Sequence, residues 1–342
     1  MKNIFFLFCA ASMMQPLFAQ KATVTETVES VKTYPFSDPD PVADPSDLFY
    51  PYFRFDGFSA KGIDKQWKVV SLENDYIKLS VNSEGGAMTS LLYKPTNSQR
   101  LWQGDERWWK GQDVVIFPIV GHAGAFTAKG QECLLKSHGL IRYTTLSIKE
   151  QGADFITLYA QSNGESLEKF PYEWEFEIGY RLENNTVKVG YFVRGKSGVL
   201  PFYLGGHPGM VAPEGRAEIT FENEEHPIVY PLEGEPYPIS KLKTLTLDKE
   251  FFARHKTYQL GSLSGGAVNA ATQDGYCYTY KSDCPLYAFW SNEKGGDYIC
   301  VEPWWGINDF AGAPKDITLK PFMNFDRGKG SSFGYSLTVQ KR

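Results

Sequence analysis

Hydrophobic and polar residues alternate with a period of two along much of the chain, the pattern of a β-strand with one buried face. Residues 174–180 alternate Trp, Phe, Ile and Tyr with Glu and Gly, and residues 187–193 place Val, Val, Tyr and Val at every second position, with Lys, Gly and Phe between them. The turn Glu183-Asn184-Asn185-Thr186 separates the two runs. Two alternating runs around an Asn-rich turn predict a β-hairpin. Residues 332–339 repeat the pattern and predict another strand.

Turn residues interrupt the chain about every ten positions, as in an all-β sandwich. The remaining alternating runs predict further strands at Ile77–Val81, Phe155–Tyr159, Ala217–Phe221 and Ile317–Leu319. The one clear helix signal is Asp248, which can cap a short helix over Lys249–His255. The fold class expected from these patterns is all-β, with one large antiparallel domain.

The first nineteen residues have the features of a secretory signal peptide. Lys2 supplies a positive start, residues 4–14 are apolar, and Leu17-Phe18-Ala19 forms a cleavage site. The apolar stretch is too short to span a membrane, and no later stretch reaches the required length. We therefore expect residues 1–19 to be removed and the protein to be periplasmic or secreted, with no membrane span.

Residues 20–66 differ in composition from the rest of the chain. Asp38-Pro39-Asp40-Pro41 and Asp44-Pro45 oppose a helix or a central strand, because proline lacks an N–H donor and restricts its neighbour. Five aromatic residues lie within residues 50–58, more than a solvated tether needs. The expected organisation is an N-terminal arm over residues 20–66 that packs on a main domain over residues 67–342.

Composition narrows the classes of partner. The chain has 342 residues, 42% of them hydrophobic and 15% aromatic, with a formal net charge of −5. Without a basic surface, nucleic acid is not an expected partner. Abundant Trp and Tyr suit stacking on neutral sugar rings, although aromatic residues also fill β-sheet cores.

Removal of the signal peptide leaves four cysteines, namely Cys133, Cys277, Cys284 and Cys300. An oxidising compartment would permit a Cys277–Cys284 disulfide across a hairpin, and free buried thiols are the alternative. The spacings do not resemble those of a zinc site, so no metal is expected.

Three separated segments each place an ionisable side chain beside Gly or Pro, where a strand-like run ends. They are Ser137-His138-Gly139 with Arg142 beyond it, Gly205-Gly206-His207-Pro208, and Cys300-Val301-Glu302-Pro303-Trp304. If the fold brings them together, one group can donate a proton to a substrate while another accepts one. This set predicts an acid–base enzyme.

Individual residues in these segments also have simpler interpretations. Glu302 could be a solvated residue at a strand edge, but Trp304 beside it favours a half-dry pocket that raises the carboxyl pKa. His207 could be a packed or surface residue, and Arg142 could form an ordinary ion pair. His138 and Arg142 are an even number of residues apart, so both would point to one face of an extended segment.

Together, in this order, the segments resemble the aldose 1-epimerase (galactose mutarotase-like) family, particularly its bacterial branch with a His-Gly-x-x-Arg segment. The matching segments are Asn74-Asp75-Tyr76, Gly85-Gly86-Ala87, Phe117-Pro118-Ile119-Val120-Gly121, Ser137-His138-Gly139, Gly206-His207-Pro208 and Glu302-Pro303-Trp304. The resemblance covers residues 67–342. It implies a β-supersandwich, in which two large antiparallel sheets pack face to face with a carbohydrate cleft on the concave side.

The resemblance also implies roles for the site residues. Glu302 would be the base, His207 the acid and His138 a second imidazole near the ring oxygen of the sugar, while Arg142 would donate to sugar hydroxyls. Trp304 and Asp309 are further candidates for substrate binding, although an Asp after a strand is often a turn residue. The expected partner is a monosaccharide or the reducing end of a sugar, and no cofactor is expected. Ordinary pKa values predict activity limbs near about pH 5 and 7–8.

Other functions are compatible with the same residues. A non-catalytic carbohydrate-binding protein could use the same scaffold, because a fold does not determine a function. A glycosidase or lyase would need a second carboxylate at about 5–10 Å from Glu302. A sugar-phosphate epimerase is disfavoured, because only Arg142 among the cations lies in the motifs. Trp108, Trp109 and His122 could line the cleft, or serve only in core packing and at the surface.

Overall fold

The computed structural model describes residues 22–33, 63–103, 113–121, 125–291, 296–310 and 312–342. The strands, numbered in chain order, are β1 (Thr23–Thr33), β2 (Ile63–Glu73), β3 (Ile77–Asn82), β4 (Met88–Tyr93), β5 (Ser98–Gln99), β6 (Val115–Ile116), β7 (Phe126–Ala128), β8 (Gln131–Cys133), β9 (Ser147–Gln151), β10 (Phe155–Gln161), β11 (Trp174–Glu183), β12 (Thr186–Gly195), β13 (Leu200–Phe202), β14 (Leu204–Gly206), β15 (Gly209–Val211), β16 (Ala217–Glu225), β17 (Ile228–Val229), β18 (Tyr237–Pro238), β19 (Leu242–Leu247), β20 (Tyr258–Gly261), β21 (Ala267–Thr272), β22 (Tyr276–Ser282), β23 (Leu286–Trp290), β24 (Tyr298–Trp305), β25 (Asn324–Asp326) and β26 (Ser331–Lys341). Two α-helices are described, α1 (Gly164–Lys169) and α2 (Lys249–His255).

Two large antiparallel sheets form the body of the molecule. The back sheet has nine strands in the order β19-β16-β21-β22-β26-β12-β11-β10-β9. The front sheet has eight, in the order β18-β17-β20-β23-β24-β14-β6, with β15 also paired to β24. A third sheet, β1-β2-β3-β4-β5, carries the N-terminal strands.

The hairpin of β11 and β12 shows how the alternating pattern builds the core. Trp174 pairs with Gly195 at one end and Glu183 with Thr186 at the turn, so the register is continuous. The alternating aromatic and aliphatic residues at 174–182 and 187–193 are buried, whereas the intervening glutamates and Phe192 are more exposed. This confirms the predicted hairpin.

Aromatic rings join the two sheets across the core. Trp305 of the front sheet lies 6.2 Å from Tyr191 of the back sheet between ring centroids, and Phe289 lies 6.3 Å from Phe221. Rings of this size bury large apolar areas, and these contacts fix the sheets face to face. The all-β prediction with two packed antiparallel sheets is confirmed.

The predicted helix is also present, because Asp248 accepts a hydrogen bond from the N–H of Phe251 (2.8 Å) at the start of α2. The prediction of a strand at Ile317–Leu319 is wrong. Asp316 accepts hydrogen bonds from the N–H and hydroxyl of Thr318, at 2.8 and 2.7 Å, and closes these residues into a 3₁₀ turn. The sequence patterns also missed α1, which Asn163 caps.

Strand β1 pairs with β2 along its whole length, so the part of the arm over residues 23–33 extends the third sheet. The Pro-rich and aromatic part of the arm lies outside the described residues, as does the predicted signal peptide. Among the described helices, none has the length and hydropathy needed to cross a bilayer.

The four described cysteines, Cys133, Cys277, Cys284 and Cys300, are buried and form no disulfide. The Cys277–Cys284 pair that an oxidising compartment would permit is therefore absent, and the alternative of buried thiols holds. Burial raises the pKa of the Cys284 thiol to about 12, although the hydroxyl of Ser282 opposes the rise.

Candidate active site

Strand β24 positions Glu302 on the outer face of the front sheet. Ile299, Val301 and Trp305 join the core between the sheets, whereas Cys300 and Glu302 lie in the alternate positions. Pairing with β23 places Glu302 opposite Ala288. Glu302 is 0% exposed, and among the described residues no donor makes a well-formed hydrogen bond to its carboxyl oxygens. A buried carboxyl without such partners is unusual outside functional sites.

His207 comes directly after β14, which lies beside β24 in the front sheet. Its Nε2 is 3.4 Å from Oε2 of Glu302, and both side chains are buried. The carbonyl oxygen of His207 accepts the N–H of Val114 (3.3 Å), which ties this segment to the residues before β6. The imidazole and the carboxyl, 95 positions apart in sequence, thus meet in one buried place.

His138 lies beside His207, with 5.3 Å between ring centroids and an edge-to-face arrangement. Its backbone has a φ of +64°, a left-handed conformation that is uncommon outside glycine. The Nδ1 atom of His138 accepts the N–H of Gly121 (3.2 Å). In the neutral ring this hydrogen bond places the proton on Nε2, which makes Nε2 a hydrogen-bond donor.

Arg142 completes the group that the sequence segments predicted. Ile141–Tyr143 form a 3₁₀ turn, so the extended segment that would place His138 and Arg142 on one face is not formed. The Nη1 atom of Arg142 donates to the carbonyl oxygen of Ser137 (3.4 Å), and the side chain is buried. The positive charge of Arg142 contributes to lowering the pKa of His207, so the guanidinium lies within electrostatic reach of that imidazole.

Gly139 holds the loop of His138 against residues 117–121. It has a φ of +84°, and a Cβ placed there would lie 2.3 Å from the carbonyl oxygen of Phe117. We expect Gly139→Ala to lower the free energy of unfolding by about 3 kcal/mol or more, because backbone atoms cannot move aside. Gly130 is a matched control, with a φ of +79° and open space around the added carbon.

Urea unfolding of both variants measures the difference. Gly130→Ala should lose only about 1–2 kcal/mol, the cost of a left-handed alanine. Equal losses of unfolding free energy in the two variants would mean that the loop of Gly139 shifts to accommodate the added methyl group at little cost.

Burial sets the protonation of the central pair. It raises the pKa of Glu302 well above its usual value, and the charge of Asp113 adds to the rise, while the nearby Trp304 indole opposes it. Burial lowers the pKa of His207 to about 3, with a further contribution from Arg142. Both shifts favour a pair in which Glu302 holds the proton and His207 is neutral.

The ring of Trp304 is less exposed than a ring that stacks on a ligand would be, and the carboxylate of Asp309 is not unpaired. Trp304 is 2% exposed and packs with Val114, Ile116 and Tyr203, so it forms a wall beside Glu302. The carboxylate of Asp309 pairs with the buried ammonium of Lys320. Neither arrangement tests a role in substrate binding.

Two further groups border the site that the sequence motifs did not include. The ring of Trp290, at the end of β23, lies 5.6 Å from that of His207. Tyr298 lies between Trp290 and a stacked Trp102, at centroid distances of 5.8 and 4.4 Å.

Asp113 is a buried carboxyl immediately before the apolar run 114–120. A single charged residue directly before an apolar run is the sequence feature that could have indicated Asp113 as a site residue. Trp108, Trp109 and His122, the other cleft candidates, lie outside the described residues.

His207, Cys300 and Glu302 also place a nitrogen, a sulfur and an oxygen within 4.8 Å of one another. Soft and borderline divalent ions use such donors, but they bind the deprotonated thiolate and carboxylate. Burial favours the protonated form of Glu302. Proton transfer is therefore the chemistry that this arrangement fits better.

Comparisons with known proteins agree with the architecture. A family model described as a domain of unknown function, DUF5107, matches residues 44–147, less than half of the chain. Among curated proteins, the plasmid-encoded protein LacX of Lactococcus lactis subsp. lactis is 25% identical over 267 residues, covering 70% of this chain and 88% of LacX.

Solved structures give the fold. A galactose mutarotase related enzyme from Lactobacillus acidophilus is 26% identical with a TM-score of 0.74, covering 80% of this chain and 97% of that one. A galactose mutarotase-like protein from Lactobacillus casei is 22% identical with a TM-score of 0.73, covering 80% of this chain and all of that one. The chain thus has the galactose mutarotase-like β-supersandwich fold.

Proposed function

We propose that this protein is an exported aldose 1-epimerase that interconverts the α and β anomers of an aldose. The observation that carries the proposal is the buried contact between Nε2 of His207 and Oε2 of Glu302, at 3.4 Å, with His138 beside it. The galactose mutarotase-like names of the structural neighbours support a sugar substrate.

The spacing of the pair suits a hemiacetal. The anomeric hydroxyl and the ring oxygen of an aldose are both bonded to C1, so two protein atoms a few ångströms apart can reach both oxygens together. In the proposed reaction Glu302 takes the proton of the anomeric hydroxyl while His207 protonates the ring oxygen. The C1–O5 bond breaks, the free aldehyde rotates about C1–C2, and closure on the other face gives the other anomer.

The neutral pair of the free protein carries the proton that this reaction needs. Moving it from Oε2 of Glu302 to Nε2 of His207 spans the 3.4 Å contact and produces the carboxylate base and the imidazolium acid. The total number of protons on the pair is unchanged. Bound sugar hydroxyls would stabilise the charged form, because they replace an apolar surrounding with hydrogen-bond partners.

The neighbouring residues would orient the sugar. His138, with its Nδ1 held by Gly121, would donate through Nε2 towards the ring oxygen. Arg142 would donate to sugar hydroxyls, and Trp304 would keep the carboxyl dry. No cofactor takes part in the proposed reaction, since proton transfer alone opens and closes the ring.

Polarimetry tests the proposal directly. Freshly dissolved α-glucose and α-galactose drift slowly in rotation, and the protein should accelerate the drift of at least one of them in proportion to its concentration. Saturable binding without acceleration would instead identify a non-catalytic carbohydrate-binding protein and overturn the epimerase proposal.

A further inference from the structure

Behind the active-site face of the front sheet lies a buried carboxyl that the proposed reaction does not use. Asp113 is 3% exposed and precedes β6, whose residues Val115 and Ile116 pair with Gly206 and Gly205 of β14. Val115 joins the core between the sheets, whereas Val114 and Ile116 pack with Trp304. Alternation therefore places Asp113 on the inner side, opposite the face of Glu302.

The front sheet has no side chain on its inner face at Gly206, next to His207. Gly206 has no side chain, and a Cβ there would lie 2.8 Å from the hydroxyl oxygen of Tyr335 in the back sheet. Residues in the core can therefore approach the backbone of His207 closely. The carboxyl of Asp113 is one of the groups that lie close to this backbone.

Hydrogen bonds at Asp113 and at the next residue tie this position to two other segments. The Oδ2 atom of Asp113 accepts the N–H of Met88, the first residue of β4, at 2.9 Å. Val114, the next residue, donates its N–H to the carbonyl oxygen of His207 at 3.3 Å. The N–H groups of Val114 and His207 also oppose the rise in the pKa of Asp113 that burial causes. Asp113 thereby joins the third sheet, the strand β6 and the segment that carries the His207 imidazole.

We propose that Asp113 is a positioning residue for the epimerase site: it anchors the backbone of His207 from behind the sheet and, when ionised, holds a proton on Glu302 by repulsion between the two carboxylates. The role rests on the proposed function, because it deepens the account of the same site. Asp113 touches no reacting atom and acts through His207 and Glu302.

The charge state of Asp113 matters near neutral pH. Burial raises its pKa to about 7, and the three backbone N–H groups oppose that rise. Burial raises the pKa of Glu302, and the charge of an ionised Asp113 adds to that rise. Within the part of the chain that the structure describes, the other titratable side chains that sense the charge of Asp113 are tyrosines of the back sheet, namely Tyr180, Tyr191, Tyr280 and Tyr335. Burial raises their pKa values well above 10, so they stay neutral over the range in which Asp113 titrates.

The test is Asp113→Asn, which keeps an oxygen acceptor for the backbone N–H groups but removes the charge. Without the repulsion, Glu302 should lose its proton more easily, so the alkaline limb of kcat/KM should move to lower pH by about half a unit or more. Asp113→Leu, which also removes the acceptor, should in addition lower kcat by about tenfold or more, because the anchor of His207 is lost.

Asp326→Asn is the matched control. Asp326 is also buried, at 2% exposure, and accepts the backbone N–H groups of Gly195 and Gly328, but it lies on β25, outside the active-site face. This variant should leave the alkaline limb in place. An unchanged limb in a folded Asp113→Asn protein, together with a normal kcat in folded Asp113→Leu, would overturn the proposal.

A second readout does not depend on activity. Carbon-13 NMR of proteins labelled at glutamate carboxyls follows the titration of Glu302, assigned with the Glu302→Gln variant. Its midpoint should fall in Asp113→Asn even if no sugar is epimerised. Absent epimerase activity with a shifted midpoint would refute the proposed function but not the coupling, whereas an unmoved midpoint would refute the coupling alone.

Discussion

Glu302→Gln is expected to slow the catalysed interconversion of sugar anomers by at least about 10²–10⁴-fold, the usual contribution of one positioned acid or base. Gln has nearly the shape of Glu, so packing against Trp304 should be preserved, but its amide cannot exchange a proton with the anomeric hydroxyl or with His207. Polarimetry at saturating sugar gives the rate.

The same substitution should stabilise the fold at neutral and alkaline pH. Burial raises the pKa of Glu302 above its usual 4.5, so the folded protein binds a proton that the unfolded chain has released. Stability from the protonated carboxyl is therefore fully present below about pH 4.5 and falls as pH rises towards the folded pKa. Because Gln does not titrate, the free energy of unfolding of the variant should increase relative to that of the wild-type protein as pH rises. Urea unfolding at pH 5 and pH 8 measures this difference.

Glu225→Gln is the control with the opposite expectation. Glu225 is also buried, but its two oxygens accept the N–H and the hydroxyl of Ser264 at 2.7 and 2.9 Å. Gln can accept the N–H of Ser264, but the hydrogen bond with the serine hydroxyl would have to reverse its direction, so about 1–3 kcal/mol of stability should be lost while activity is retained. If Glu302→Gln kept full activity, or lost stability as Glu225→Gln does, Glu302 would be an ordinary structural carboxyl.

Much of the fold could be predicted because period-two alternation reports directly which face of a strand is buried. Residues 174–180 and 187–193 obey it, and they form β11 and β12. The prediction was wrong at Ile317–Leu319, where two apolar residues look like a strand but the side chain of Asp316 closes a turn. Local hydrogen bonds of this kind compete with sheet pairing and leave little trace in the pattern of apolar residues.

The candidate site could be predicted only in part, for a related reason. His207 and Glu302 stand beside Gly and Pro, whose backbone constraints are visible in the sequence. Trp290 and Asp113 approach His207 through pairing between distant strands, which no local pattern encodes. The buried environment that reverses the ordinary protonation of the pair is likewise a product of tertiary packing.

That reversal changes the expected pH dependence. Ordinary pKa values place the limbs near about pH 5 and 7–8, but burial lowers the pKa of His207 to about 3 and raises that of Glu302. The state with one proton on the pair should then persist over a wider range, so kcat/KM should be nearly constant from about pH 4 to 6 and fall only near pH 3. Nitrogen-15 NMR should show the imidazole of His207 still neutral at pH 5.

His207→Gln completes this test, because it removes the group assigned to the acid limb. The variant should lose about 10²–10⁴-fold in kcat, and its remaining activity should show no limb near pH 3. The NMR signals that disappear in the variant identify those of His207 in the wild-type protein. An acid limb centred near pH 6.5, with His207 becoming protonated over the same range, would show that the imidazole behaves as in water. The buried neutral pair would then not be the resting state of the site.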